Sequence, residues 1–254
     1  MNKIFFFDID GTLAIHRHIP QGHLNSLKKL KEKGYLTFIC TGRAPFYAQK
    51  MFEGLVSGYI ACNGRYIIYQ GQKLHGEIFS HHTLTYYQQK LDELELGAMF
   101  VSDEQSYPYH LNSSQIQGIE QEYGKEHITF DHNHLDFYTF DIFYKDHTHL
   151  QQAIQAFKNE LIINDHGGMG HCDCSTINFD KGHAIAYLLK HFDISPDCAY
   201  AFGDGYNDQA MFREVGHRIA MGNAVNELKE KATYITDNVD CDGITKALIH
   251  ENIL

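Results

Sequence analysis

Two aspartates one residue apart, Asp8 and Asp10, end an apolar run in the stretch FFFDIDGTL. Like charges this close raise each other's pKa and are costly to hold together. A second acidic pair, Asp204 and Asp208, closes another apolar run in CAYAFGDGYND. Four carboxylates gathered at one place do not all stay ionised alone, and a bound cation offsets their repulsion. The ligands on offer are hard oxygens, with no His or Cys required. That set suits Mg²⁺, with waters completing an octahedron, rather than zinc.

The elements that must position these groups follow from hydrophobic pattern. Residues 3–9 are short, continuous and apolar, which predicts a buried strand. HLNSLKKLKEKG spaces Leu24, Leu27 and Leu30 as a helix does, and Gly34 stops it. YLTFIC is a second buried strand ending at Thr41-Gly42-Arg43, and a helix from Pro45 leads to the strand YIACNG. This alternation predicts a Rossmann-like α/β unit with a parallel sheet, in which ligands bind beyond the carboxyl ends of the strands. YIIYQGQKLHGEIF reads as a hairpin turning at Gln70-Gly71. From about residue 81 to 175 the chain becomes rich in Tyr, His and Gln, and its pattern fits a separate small α/β unit with an open, partly antiparallel sheet. DKGHAIAYLLKHF and CAYAFGDGYND then resume the first rhythm. The expected organisation is a core of residues 1–80 and 178–254 with residues 81–177 inserted as a cap. Asp8 and Asp10, Thr41, Lys181, and the group Asp204, Asn207 and Asp208 then converge on one edge of the core sheet.

Composition narrows the function. A net charge of −11 makes a general nucleic-acid partner unfavourable. No apolar run approaches the roughly 20 residues of a membrane span, and IFFF lacks the flanks of a signal peptide. The expectation is a cytoplasmic protein, monomeric or homodimeric, whose six scattered cysteines are free thiols.

Each candidate residue also has a plain structural reading. DG commonly makes turns, so Asp8 and Asp10 alone fit a surface turn; the second acidic cluster argues against it. Lys181 fits an ordinary helix-start lysine, Thr41 a cap for the next helix, and Asn207 another cap. Arg43 fits a loop-ordering ion pair as well as a substrate contact. His166, His171, Cys172 and Cys174 suggest zinc, but their spacing matches no common closed site, and strand alternation accounts for Cys-Asp-Cys. His16 and His18, just after the turn at Asp8 and Asp10, read as loop residues, with contact to substrate or to the inserted unit as the alternative. Phe137, Tyr138, Phe140, Phe143 and Tyr144 read as sheet core. Tyr107, Tyr109 and His110 fit either sheet surface or a substrate-facing surface.

Taken in order, DIDGTL, TGR, the Lys181-Gly182 pair and GDGYND resemble the four motifs of the haloacid dehalogenase-like phosphatases. AMGNAVNELKEKATYITDNVDCDGITKAL resembles the C-terminal signature of their Cof-type branch, and an α/β cap between the second and third motifs fits that branch. The resemblance implies that Asp8 is a nucleophile forming an aspartyl-phosphate. It implies that Asp10 protonates the leaving oxygen and then activates water. Mg²⁺ would be held by the Asp8 side chain, the Asp10 backbone carbonyl and the Asp204 side chain, with Asp208 supporting it. Thr41, Gly42, Lys181 and Asn207 would hold the phosphoryl group, and Gly11 and Thr12 would shape the turn. The expected activity is hydrolysis of small phosphorylated metabolites, such as sugar phosphates or nucleotide-like cofactors. Two rivals remain at this point: a phosphomutase using the same intermediate, and a module that senses a phosphometabolite without turnover.

Overall fold

The computed structural model describes residues 3–165 and 168–254. Its main sheet is built from β1 (Ile4–Phe7), β2 (Leu36–Cys40), β3 (Gly58–Ala61), β4 (Tyr66–Tyr69) and β5 (Gln72–Gly76), together with three strands from the far end of the chain. β6 (Gly97–Val101), β7 (Ser106–Tyr109), β8 (Thr139–Phe143), β9 (Leu161–Asp165) and β10 (His171–Thr176) form a second sheet. β11 (Ala199–Gly203), β12 (His217–Ala220) and β13 (Tyr234–Ile235) return to the first. The main sheet runs β13-β12-β11-β1-β2-β3-β4-β5, parallel except for the hairpin strands β4 and β5. The second runs β7-β6-β8-β10-β9. Every pair in it is antiparallel, so the partly antiparallel sheet expected from sequence is wholly so.

The long helices are α1 (Gln21–Glu32), α2 (Pro45–Phe52), α3 (His81–Glu93), α4 (Ser113–Tyr123), α5 (His147–Phe157) and α6 (Lys181–Phe192). The tail adds α7 (Gln209–Phe212), α8 (Asn226–Lys229) and α9 (Gly243–His250). None is long and apolar enough to cross a membrane.

The sheet's centre explains why β1 reads as an unbroken apolar run. A parallel strand covered on both faces needs apolar side chains at every position. Phe5 and Phe7 stack on Tyr200 and Phe202 of β11, each pair 4.7 Å apart, on one face. Phe6 packs on Phe38 of β2 on the other. All three are fully buried, which stabilises the strand by about 1.5–3 kcal/mol per side chain. The consequence for function is rigidity just before Asp8.

In the second sheet the aromatic stripe divides between two cores. Phe137, Phe140 and Tyr144 enter its own core, while Tyr138 and Phe143 face the larger core cluster. Tyr109 and His110 both hydrogen-bond Asp92 on the outer surface. Tyr107 stacks on His132 nearby, so of the two readings of these three residues the surface one holds. Between the sheets, the buried Arg65 donates to the Tyr138 carbonyl at 2.7 Å and the Thr176 hydroxyl at 3.2 Å.

Candidate active site

β1 and β11 pair in register, Phe7 opposite Phe202, so the residues just beyond them leave the sheet side by side. Asp8 follows β1 and Asp204 follows β11. Asp8, Asp204 and Asp208 each bring a carboxylate oxygen within 4.8 Å of the other two. Lys181, the first residue of α6 and 1% exposed, donates to Asp8 Oδ1 at 2.7 Å and Asp208 Oδ1 at 2.8 Å. The other Asp208 oxygen accepts the backbone N–H groups of Asp204 and Gly205, both at 2.9 Å. The Thr12 hydroxyl donates to Asp204 Oδ1 at 2.9 Å.

The start of α6 is itself fixed, which aims Lys181. Asp180 caps the helix by accepting the His183 N–H at 3.1 Å and takes Arg213 Nη2 at 2.7 Å. Lys181 is therefore an ion-pairing lysine beneath the cluster, not a solvated one.

Burial pushes the Asp8 carboxyl well above the usual range; Lys181 opposes that rise, while Asp208, Asp204 and Asp10 add to it. Burial and then Asp208 push Asp204 up to about 7. Burial disfavours the Lys181 charge, but Asp208 and Asp8 more than offset this and hold its pKa well above the ordinary lysine value. Such a set of clustered hard oxygens, short of positive charge, fits a divalent cation of the Mg²⁺ type.

The Asp10 carboxylate does not join the cluster. It accepts Arg43 Nε at 2.9 Å and Arg43 Nη2 at 3.2 Å, and is half exposed. The expected gathering of four carboxylates is thus three, because a guanidinium satisfies the fourth. Arg43 also bonds Glu122 of α4, so the ion-pair reading of this residue is the one seen.

Asp8, Asp10, Thr41, Gly42, Asp204, Asn207 and Asp208 line one cavity of about 560 Å³; Lys181 lies under its floor. Thr41 does not cap α2, whose N-cap is Ala44; its hydroxyl accepts the Arg43 N–H at 3.1 Å. Asn207 does not cap α7 either, whose N-cap is Asp208. Its amide lies 3.5 Å from Asn63 Oδ1.

Asn63 is a functional candidate that sequence reading passed over. It is buried, with a φ of 51°, and donates to Asp173 Oδ2 at 2.6 Å. A signal existed: it stands just past the end of β3, where the neighbouring strands carry their site residues. Glu122, Asp141 and Asp173 also line the cavity and were not singled out.

The zinc reading fails on strand geometry. Cys172 and Cys174 point into the second sheet's core, while His171 lines the cavity on the opposite face. His166 lies outside the described residues. Among the described residues the one potential metal group is Asp8, Asp204 and Asp208.

Gly11 makes a sharp test of the cluster. Its φ is +83°, and a Cβ there would overlap the Asp204 carboxylate. At a divalent-cation site built on Asp204, Gly11→Ala is expected to displace that carboxylate and to weaken metal binding by about tenfold or more. A metal titration of the purified variant reads this directly, and an unchanged midpoint would contradict it.

The family model of the haloacid dehalogenase-like hydrolases matches residues 5–248, and the chain belongs to that family. YkrA of Bacillus subtilis is 28% identical over 255 residues, covering 97% of this chain and 96% of that one. The 5-amino-6-(5-phospho-D-ribitylamino)uracil phosphatase YwtE of the same organism is 28% identical over 272 residues, covering 95% of each chain. Among solved structures, a haloacid dehalogenase-like hydrolase from B. subtilis superposes with a TM-score of 0.86 at 22% identity, over 98% of this chain and 99% of that one. The subclass IIB sugar phosphatase BT4131 superposes with a TM-score of 0.84 at 24% identity over the full length of both, which shows the shared fold. The chain is a phosphatase of this superfamily.

Proposed function

We propose that the protein is a Mg²⁺-dependent phosphatase of small phosphorylated metabolites that works through an aspartyl-phosphate on Asp8. The observation that carries the reading is Asp8 itself: a buried carboxylate at the floor of a cavity, against a buried lysine and two further carboxylates. Phosphatases acting on small phosphorylated compounds among the relatives support the substrate class.

The Asp8 and Asp204 side chains and the Asp10 carbonyl would hold the ion, and Asp208 fixes both Lys181 and the loop that carries Asp204. When bound, the ion supplies positive charge that lets an anionic carboxylate approach an anionic phosphate and stabilises the transition state. Lys181, the Thr41 hydroxyl, the Gly42 N–H and the Asn207 amide hold phosphoryl oxygens. An Asp8 oxygen attacks phosphorus while Asp10 gives its proton to the leaving oxygen; Asp10 then takes a proton from the water that cleaves the acyl phosphate. Arg43 sets the direction in which Asp10 points. Residues 81–177 act as a cap over residues 1–80 and 178–254, and exclude bulk water during turnover.

The test is phosphate release from a panel of phosphorylated metabolites, ranked by kcat/KM. EDTA is expected to abolish release and Mg²⁺ to restore it. Restoration by zinc alone, or transfer to an added sugar without release, would overturn the reading.

The acidic cluster also predicts how pH and metal act on stability. Asp204 folds with a pKa of about 7 against an ordinary 3.8. The metal-free folded state therefore binds more protons than the unfolded chain between these values, and loses stability as pH rises through that window. Above it the ionised carboxylates await a cation. The Tm gain on adding Mg²⁺ is thus expected to be larger near pH 8 than near pH 5.5, measured by calorimetry at both. An equal gain at the two would contradict this.

A further inference from the structure

Arg43 stands between two carboxylates from different parts of the chain. Its Nε and Nη2 donate to the two oxygens of Asp10, at 2.9 and 3.2 Å, and its Nη1 donates to Glu122. Glu122 belongs to α4, which lies between β7 and β8 of the second sheet. A guanidinium is planar and its donors point in fixed directions, so a carboxylate on one edge sets the plane that the other edge presents. The Arg43 guanidinium carbon also lies over the Tyr47 ring, 5.2 Å from its centroid, which limits its tilt. The direction of Asp10 is therefore tied to Glu122.

Glu122 is unfavourably placed within its own helix. It is the penultimate residue of α4, whose last turn has no basic residue, and the C-terminal end of a helix disfavours acids. The offsetting charge comes from the loops of the main sheet. Arg43 meets Glu122 from the loop after β2, and Arg17 reaches the same turn from the loop after β1. Arg17 Nη1 donates to the Gln121 carbonyl at 3.2 Å, and its Nη2 lies 3.8 Å from Glu122 Oε1. Arg17 is presented by a two-residue turn closed by Ile15 and His18. Both turn residues, His16 and Arg17, have positive φ, 46° and 67°, a conformation unfavourable for any residue with a Cβ. Tyr123, next to Glu122, packs edge-on against Phe46 and Tyr47 of α2, with ring centroids 5.3 and 5.6 Å apart. The end of α4 is thus seated on the two loops that carry Asp10 and Thr41.

We propose that Glu122 is a positioning residue for Asp10: it holds Arg43 in the plane that points the Asp10 carboxyl at the departing ester oxygen, so the acid is aimed when α4 is seated on the loops after β1 and β2. The inference rests on the phosphatase reading of the same cavity, in which Asp10 gives its proton to the leaving group. As the bond from an Asp8 oxygen to phosphorus forms and the ester P–O bond breaks, that proton passes from Asp10 to the departing oxygen. An alkoxide leaves poorly without the proton, whereas 4-nitrophenolate leaves unaided. Misdirecting Asp10 therefore slows alkyl esters and spares the nitrophenyl ester.

The test measures kcat/KM, which reads the steps through departure of the leaving group, with Mg²⁺ present. The substrates are the best alkyl ester of the metabolite panel and 4-nitrophenyl phosphate. Glu122→Ala is expected to lower the alkyl value by about tenfold or more and the nitrophenyl value by less than about threefold. Glu122→Gln, which keeps the shape and an accepting carbonyl but loses the charge, is expected to shift the ratio the same way by a smaller factor. Taking the ratio within each variant cancels any general loss of activity, and two variants guard against one folding poorly. In an Asp10→Asn background the effect of Glu122→Ala on the ratio is expected to vanish, because the residue acts through Asp10. A ratio unchanged in both Glu122 variants, or a shift that persists in the Asp10→Asn background, overturns the positioning role and leaves the phosphatase reading standing. Equal slowing of both esters by Asp10→Asn alone overturns the acid assignment and the inference with it. No phosphate release from any ester of the panel or from 4-nitrophenyl phosphate overturns the phosphatase reading as well.

Discussion

In Asp8→Asn, phosphate release is expected to fall by about 10⁴-fold or more while the fold is retained. An amide does not attack phosphorus as a carboxylate does, so the proposed covalent step would lose its nucleophile. The substitution is otherwise mild. The side-chain carbonyl of asparagine still accepts the Lys181 hydrogen bond that Asp8 accepts at 2.7 Å. One like charge is also removed from the company of Asp204 and Asp208. Thermal stability is therefore expected to be kept or slightly raised, as burial already pushes Asp8 toward its neutral form. Steady-state assays and circular dichroism on one preparation separate the two effects. Activity within tenfold of the parent would remove Asp8 from the role assigned to it.

Lys181→Met is expected to give the largest loss of stability. The ammonium is 1% exposed and bridges Asp8 and Asp208, themselves buried. Removing one member of such a set leaves uncompensated charge in the interior, which costs about 3–5 kcal/mol. The sign of the pH dependence follows from the carboxylates left behind. Burial already holds the Asp8 carboxyl well above the usual range, so protonation at lower pH relieves its charge, and the loss is expected to be greater near pH 8 than near pH 6. Urea unfolding in EDTA at both pH values measures this. A destabilisation below about 1 kcal/mol would mean that the pair is not the counter-charge proposed. Phosphate release is expected to fall as well, by about 10²-fold or more, since the proposed mechanism also gives this ammonium the phosphoryl oxygens to hold.

The core was legible because its rules are local. A strand buried on both faces needs apolar side chains; Ile4–Phe7 and Ala199–Gly203 read that way throughout, and Leu36–Cys40 does apart from Thr37, whose hydroxyl accepts the Ser57 N–H. Parallel order then places the ends of such strands together, which brings Asp8, Thr41 and Asp204 to one cavity. The two-residue strand Tyr234–Ile235 escaped notice because it is too short to show a period. Contacts made across the two sheets were also hidden. Arg43 reaches Glu122 and Asn63 reaches Asp173 over separations of 79 and 110 residues, and no spacing in the sequence encodes those distances. The same holds for Asp10. Its pairing with Arg43 depends on which rotamer the loop allows, so sequence placed it among the acids while the fold gave it a guanidinium. In Cys172-Asp173-Cys174 the alternation was visible, but which face met the cavity was decided by pairing with β8.

The covalent role proposed for Asp8 can be tested directly by trapping. Enzyme turning over a phosphomonoester with Mg²⁺ is quenched and treated with borohydride, which reduces an acyl phosphate to the alcohol, and its peptides are sequenced by mass spectrometry. The account predicts homoserine at position 8 with substrate present and aspartate there without it. Reduction at another carboxylate, or phosphate recovered on a histidine such as His16 or His171, would contradict it.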